Sequence, residues 1–352
     1  MDALVAINNL YRRVARKVLS ETLAVKEGEA VTIETWNNGL EFARHVATEA
    51  RAMGCTAALL LEDEQAYVEG VKRSPRRKIG AMGKNEYGLL AGTDAYVFIP
   101  GPLLAAYQTR VKPELMSDSL KYNSSWYEAA EKAKLRGARL TFGYIGEEMS
   151  SLMGRTVQQV VERQLSAALV DFETVSNSAK KLSSLIADGS EALVKARGSQ
   201  LRLKLTGEIT VEDGVVSRGD VETGNNMTYV PPGFVSSGVD PTSASGTLKV
   251  SRTLTRLGVL EDATVTFREG QLVNWKSKRS SRILNELVKA VPEEKRRVTI
   301  LNVGVNPKMG YFFGQDRMVA GSVTAGGFGF MAVVRNGDLT VEGRQALKNG
   351  KL

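Results

Sequence analysis

TAALLLE, residues 56 to 62, is a short uninterrupted apolar run. Runs of this length and texture read as strands buried on both faces of a parallel sheet. Three more strand candidates lie around it: AVTIET at 30 to 35, DAYVFIP at 94 to 100 and RLTFGYI at 139 to 145. Helical spacing fills the gaps, at 38 to 52, in the polar stretch after Glu62, and in WYEAAEKAKLRGA. Strand alternating with helix predicts an open, mostly parallel α/β sheet for the first half of the chain. Ahead of it, residues 4 to 22 carry Leu10, Val14 and Val18 at four-residue spacing with Arg12, Arg13, Arg16 and Lys17 largely between them, which reads as an amphipathic helix.

Beyond residue 155 the texture changes. Two helical stretches run to 188, and after ADGS (187 to 190) short alternating strands take over. ALVKARGSQLRLKLTGE alternates around a Gly-Ser turn and DATVTFREGQLVNWKS around Glu269-Gly270, so both read as β-hairpins. SSRILNELVKAV at 280 to 291 is a helix, and RVTILNVGV at 297 to 305 a buried strand. The expected organisation is therefore an α/β domain over 1–190 and a strand-rich α+β domain over 191–352.

Composition narrows the chemistry. The 352 residues, at roughly 100 to 200 per domain, suit two domains. One histidine, His45, and one cysteine, Cys55, exclude a Cys/His zinc site, a multi-histidine centre, a disulfide framework and a CxxC redox pair within one chain. His45 sits in the helical EFARHVATEA, where a packed or surface role is the expectation. No stretch approaches the roughly 20 apolar residues of a transmembrane helix, and the first residues lack the pattern of an export signal, so a cytoplasmic protein with no membrane association is expected.

The net charge of +8 matters only where it is concentrated. Lys72, Arg73, Arg76, Arg77 and Lys78 surround Pro75; Lys276, Lys278, Arg279 and Arg282 form a second cluster, and Lys295 to Arg297 a third. The first is a possible polyanion contact, yet no aromatic neighbours offer base stacking, and nucleic-acid binding is not the favoured reading. The glycine-dense tract GYFFGQDRMVAGSVTAGGFGF (310 to 330) contains no dinucleotide or phosphate-loop fingerprint, and tight strand packing is its expected role.

The order of features resembles one family, the thermophilic aminopeptidase T and aminopeptidase S type metallo-exopeptidases, often described as leucyl aminopeptidases. LAVKEGEAVTIET and RGARLTFGYIGEEMSSLM are similar to the family's first-half segments. RGSQLRLKLTGE, NNMTYVPPGFVSS, GVLEDATVTFREGQLVNWKS, ILNVGVNPK, GQDRMVAGSVTAGGFG and NGDLTVEGRQALKNGK follow in the family's order. The resemblance implies that fold, a homodimer, and a dinuclear metal centre held by two Glu, two His and an Asp.

At the positions matching those ligands, this sequence has Phe234, Ile300, Thr324, Phe330 and Ala332. Such residues provide one neutral hydroxyl where divalent ions need carboxylate and imidazole. Asp220, Glu222 and Asp316 are the acidic residues that could rebuild an all-oxygen site. Three functional readings result: a non-catalytic homodimer that has lost its metal site and needs no cofactor; an active aminopeptidase or other hydrolase with a rebuilt carboxylate site; and a basic nucleic-acid or ribonucleoprotein-binding scaffold. The first is the leading expectation, and Tyr311, Phe312 and Phe313 are candidate anchors of its dimer interface.

Overall fold

A computed structural model describes residues 2–101, 111–187, 190–255 and 257–352. Its strands are, in chain order, β1 (Ala30–Trp36), β2 (Thr56–Glu62), β3 (Ala95–Ile99), β4 (Arg136–Leu140), β5 (Glu191–Ala196), β6 (Ser199–Glu212), β7 (Met227–Val230) and β8 (Phe234–Val239), followed by β9 (Ser245–Thr255), β10 (Gly258–Arg268), β11 (Gln271–Ser277), β12 (Ile300–Gly304), β13 (Val323–Gly326), β14 (Ala332–Val334), β15 (Asp338–Val341) and β16 (Arg344–Leu347). The chain forms two compact units. Unit 1 comprises Met1–Ser150, Thr156–Leu169 and Gly214–Pro231; unit 2 comprises Ser151–Arg155, Val170–Asp213 and Pro232–Leu352. The chain passes between them more than once, whereas the sequence reading places a single cut at 190. Asp188 and Gly189 of the ADGS segment lie outside the described residues.

Unit 1 is an α/β layer built on a five-stranded sheet of order β2-β1-β3-β4-β7, with every neighbouring pair parallel. The helix Leu40–Ala52 connects β1 to β2 and buries Phe42, Ala43, Val46 and Ala47. Phe42 meets Phe142 edge to face at 4.7 Å, and the opening helix Asp2–Lys17 adds the buried Val14 and Ala15. Parallel strands need such crossovers, because their ends lie at opposite edges of the sheet.

Two expectations about this sheet change. TAALLLE is an outermost strand, not a doubly buried one: Leu59 and Leu61 are 39% and 51% exposed. Being paired only to β1, it has a neighbour on one side alone, and a run of leucines does not reveal which strand of a sheet is outermost. The fourth strand is Arg136–Leu140, with Thr141–Tyr144 forming a 3₁₀ turn after it. Gly137 lets β4 approach β7, since a Cβ there would stand 1.8 Å from the Met227 sulfur.

Unit 2 is strand-rich. Its eleven-stranded sheet runs β11-β10-β9-β6-β8-β12-β13-β14, with β5, β15 and β16 attached through β6 and β15, all in antiparallel pairs. The period of two is explicit in β6, where Leu201, Leu203 and Leu205 are buried and Gln200, Arg202 and Lys204 exposed. Each buried leucine contributes about 1.5–3 kcal/mol by leaving water. The same core takes Val175, Ala179, Leu182 and Ile186 from the helix Phe172–Ala187, and Leu284, Leu287 and Val288 from the helix Ser281–Lys289. An acidic residue in place of Leu203 would put a charge into this layer and unfold the unit.

Candidate functional site

The middle of the unit 2 sheet brings together residues that the sequence separates by ninety positions. Residues paired across antiparallel strands project to one face, and alternate residues of a strand return to it. Asn302 on β12 pairs with Ser236 on β8 and with Thr324 on β13. Phe234 shares this face two residues before Ser236, and Ile300 two residues before Asn302. Phe234, Ile300 and Thr324 thus stand on one face. Ala332 does not join them: it pairs with Ala325, the neighbour of Thr324, and belongs with Leu301, Val303 and Ala325 to the apolar core on the other side. Phe330 lies in that core too, 5.0 Å from Phe328 in an edge-to-face contact.

The row Ser236–Asn302–Thr324 is polar, neutral and buried, with Asn302 1% and Thr324 0% exposed. Neither amide atom of Asn302 nor the Thr324 hydroxyl has a hydrogen-bond partner. An unpartnered buried polar group costs about 1–3 kcal/mol. Beside the row, the Arg317 guanidinium stands 4.8 Å from the centre of the Phe234 ring.

The motif residues next to these positions shape the backbone. Gly233 has φ +128°, and a Cβ there would come within 2.5 Å of the Asn306 Cβ. Asn306 is fully buried. It donates from Nδ2 to the Pro232 carbonyl at 2.7 Å and accepts at Oδ1 from the amides of Lys308 and Met309. The P-P-G-F turn and the G-V-N-P element therefore hold each other, independently of any ion.

The acidic residues are committed elsewhere. Asp220 caps the helix Arg218–Glu222, taking the Ser217 amide at 2.8 Å and its hydroxyl at 2.6 Å, and Glu222 pairs with Arg218 at 3.0 Å. Both belong to unit 1, and Asp316 to unit 2. The Asp316 carboxylate accepts from the Phe312 amide at 2.8 Å and from Arg335 at 3.2 Å. Burial pushes its pKa up, and these partners offset only part of that rise. Arg252 lies 3.9 Å over Phe312, Arg335 lies 4.4 Å over Tyr311, and Arg155 lies 5.5 Å over Phe313, so the three aromatics proposed as interface anchors all have partners within the chain. Among the described residues, no group of three or more His, Cys, Asp or Glu is arranged to hold a metal ion.

Of the basic residues, Lys72 pairs with Glu69 at 3.2 Å and Arg76 with Asp118 at 2.8 Å. They close the helix Glu64–Arg73 and the turn Arg76–Lys78 in unit 1 together with Arg73, Arg77 and Lys78. Lys276, Lys278, Arg279 and Arg282 are in unit 2, with Arg279 paired to Asp262 and Arg282 to Glu286. Arg296 and Arg297 of the third cluster donate to backbone carbonyls. His45 is half-buried, its ring 5.5 Å from that of Tyr11. No described helix is long and apolar enough to cross a membrane.

Sequence reasoning misses Asn302, Ser236 and Arg335. Only one signal points to them, an asparagine inside the apolar strand ILNVG, where the alternation hides which face it takes.

No family model and no curated protein matches the sequence. Among solved structures the fold is similar to wild-type AmpT from Thermus thermophilus, with a TM-score of 0.67 over 97% of this chain and 100% of that one, at 14% sequence identity. The likeness is one of fold: an N-terminal, mostly parallel α/β region and a C-terminal, strand-rich α+β region.

Proposed function

We propose that this chain is a non-hydrolytic relative of the aminopeptidase T fold, a cytoplasmic binding or structural protein that works as a homodimer. The observation that carries this reading is the chemistry of the β8-β12-β13 face. Phe234, Ser236, Ile300, Asn302 and Thr324 offer neutral groups only, and the buried Glu212, which pairs with Phe234 from the neighbouring β6, adds a single carboxylate to this face, whereas a divalent ion needs several anionic oxygens or imidazole nitrogens to replace its water. A hydrolase with a rebuilt carboxylate site is the weaker reading, because Asp220 and Asp316 already spend their carboxylates on a helix cap and on Arg335. For the dimer, the exposed Leu59 and Leu61 on an outermost strand are the apolar surface a second copy would cover.

The test is metal analysis of the purified protein together with an aminopeptide hydrolysis assay. The expected result is no stoichiometric transition metal and no metal-dependent cleavage. About one or two tightly held ions per chain, removable by chelator with loss of cleavage, would reinstate the hydrolase. Light scattering checks the dimer: the wild-type protein should run as a dimer and Leu61→Lys as a monomer, and a wild-type monomer at micromolar concentration removes that part of the reading.

A further inference from the structure

Unit 1 contains a cavity of about 530 Å³ that the reading above does not use. Its floor is the sheet: Glu34 and Trp36 come from the carboxyl end of β1, Glu62 is the last residue of β2, and Phe98 stands near the end of β3. Its roof comes from the helices Glu64–Arg73, Lys84–Ala91 and Lys121–Ala133, which add Tyr67, Glu86 and Trp126. The sheet order reverses between β1 and β3, and in open α/β sheets the region beyond the carboxyl ends of the strands at such a reversal is where ligands sit. The volume falls within the about 300–1,000 Å³ of small-molecule sites.

The wall combines two chemistries. Three carboxylates, Glu34, Glu62 and Glu86, line one cavity, and none takes part in an ion pair among the described residues. The donors they have are neutral. The Tyr96 hydroxyl donates to Glu34, and Tyr122 donates to Glu86 at 2.6 Å alongside the Gly83 amide at 2.5 Å. Burial raises the pKa of both Glu34 and Glu62, and repulsion from Glu86 raises each further; for Glu34 the Tyr96 hydrogen bond and the charge of Arg139 offset part of this. Much of the rest of the wall is apolar, part aliphatic, as at Leu60, Val71 and Leu90, and part aromatic, with Trp36 against Tyr67 at 5.2 Å and Tyr96 against Trp126 at 5.0 Å, both edge to face. Lys78, the one basic residue among the described lining, is exposed.

We propose that this cavity binds a small organic cation, an ammonium or guanidinium group carried on an apolar body. The cation supplies the ion-pair partner that Glu34 and Glu62 do not have among the described residues, and ring faces favour a positive group over a neutral one. The apolar body lies against Trp36 and Trp126. A divalent metal is not the occupant, since the carboxylates are not grouped to coordinate one.

Calorimetric titration of the full-length protein tests this with phenethylammonium and agmatine as cations and phenylacetate as an anion of similar shape. Both cations should bind with dissociation constants below about 1 mM and phenylacetate should not. Glu62→Gln should weaken the cations by about tenfold. Glu62 closes an outermost strand and is partly exposed, so this variant is expected to fold; Glu34→Gln, checked by circular dichroism, is the second variant. No heat with either cation, equal binding of phenylacetate, or cation binding unchanged in both variants would overturn the proposal.

Discussion

Two regions of the molecule, the surroundings of Asp316 in unit 2 and the cavity in unit 1, deal with buried polar groups in opposite ways. Around Asp316, unit 2 neutralises what it buries: the carboxylate meets Arg335 and a backbone amide, and the arginines above it lie over aromatic rings. The row Ser236–Asn302–Thr324 in the same unit carries no charge at all. Unit 1 instead gathers three carboxylates around one cavity, with tyrosine hydroxyls as donors to Glu34 and Glu86. A charge whose partner is part of the chain holds a fold together, whereas a charge whose partner is absent keeps a place for one. The same distinction sets the size of the mutational effects expected in each unit.

The largest effect belongs to the closed pair. Asp316→Ala leaves Arg335 without its carboxylate and frees the Phe312 amide, and breaking a buried pair from one side costs about 3–5 kcal/mol. Replacing both partners together, Asp316→Leu with Arg335→Met, should cost much less, because no lone charge remains. Urea unfolding of the three proteins measures this. Equal losses in the single and double variants would mean that the loop is held by packing on Phe312 and not by the pair.

A smaller effect, of opposite sign, is expected in the neutral row. Thr324→Val keeps the shape of the side chain and removes a hydroxyl that has no partner, so it should be neutral or stabilising by about 1 kcal/mol. Asn302→Leu removes two unpartnered atoms and should move the same way. A loss of about 2 kcal/mol or more in either would show that a bound water or ligand completes the row in solution, and the face would then compare with the open cavity of unit 1.

How far the sequence foretells these regions depends on the range of the interactions involved. Strand–helix alternation made the parallel sheet of the first half legible, and period two made β6 and the β10–β11 hairpin legible, because both signals are local. The place of TAALLLE at the outside of the sheet was hidden, since it depends on which strand lies beside β1. So was β7, which reaches β4 from far along the chain. Of the five positions matched to a ligand set by resemblance, Phe234, Ile300 and Thr324 share one sheet face, while Phe330 and Ala332 belong to its apolar reverse, a division that the order of motifs along the chain does not reveal. Glu34, Glu62 and Glu86 carried no signal as a group. Each is an ordinary glutamate until two strands and the helix Lys84–Ala91 bring them to one cavity.

The smallest effect expected is a pH dependence in unit 1, read as a difference between two proteins. The Glu62 pKa is raised above the ordinary value of 4.5, first by burial and then by repulsion from Glu86 and Asp63. A carboxyl group that holds its proton more tightly when folded than when unfolded favours the folded state as protons are added. Its contribution therefore disfavours folding at neutral and alkaline pH, and this cost is relieved as the pH falls through the folded-state pKa toward 4.5. Glutamine stays neutral throughout, so Glu62→Gln should gain stability relative to the wild-type protein at pH 8, and the gain should shrink at pH 5. Asp118, Asp240 and Glu342, whose pKa values are lowered, lose stability in acid in both proteins and cancel in the difference. Urea midpoints of the two proteins at the two pH values provide the measurement. A gain that is constant with pH, or larger at pH 5, would mean that Glu62 already has a cationic partner in the folded protein, and the contrast between the two units would be lost at that residue.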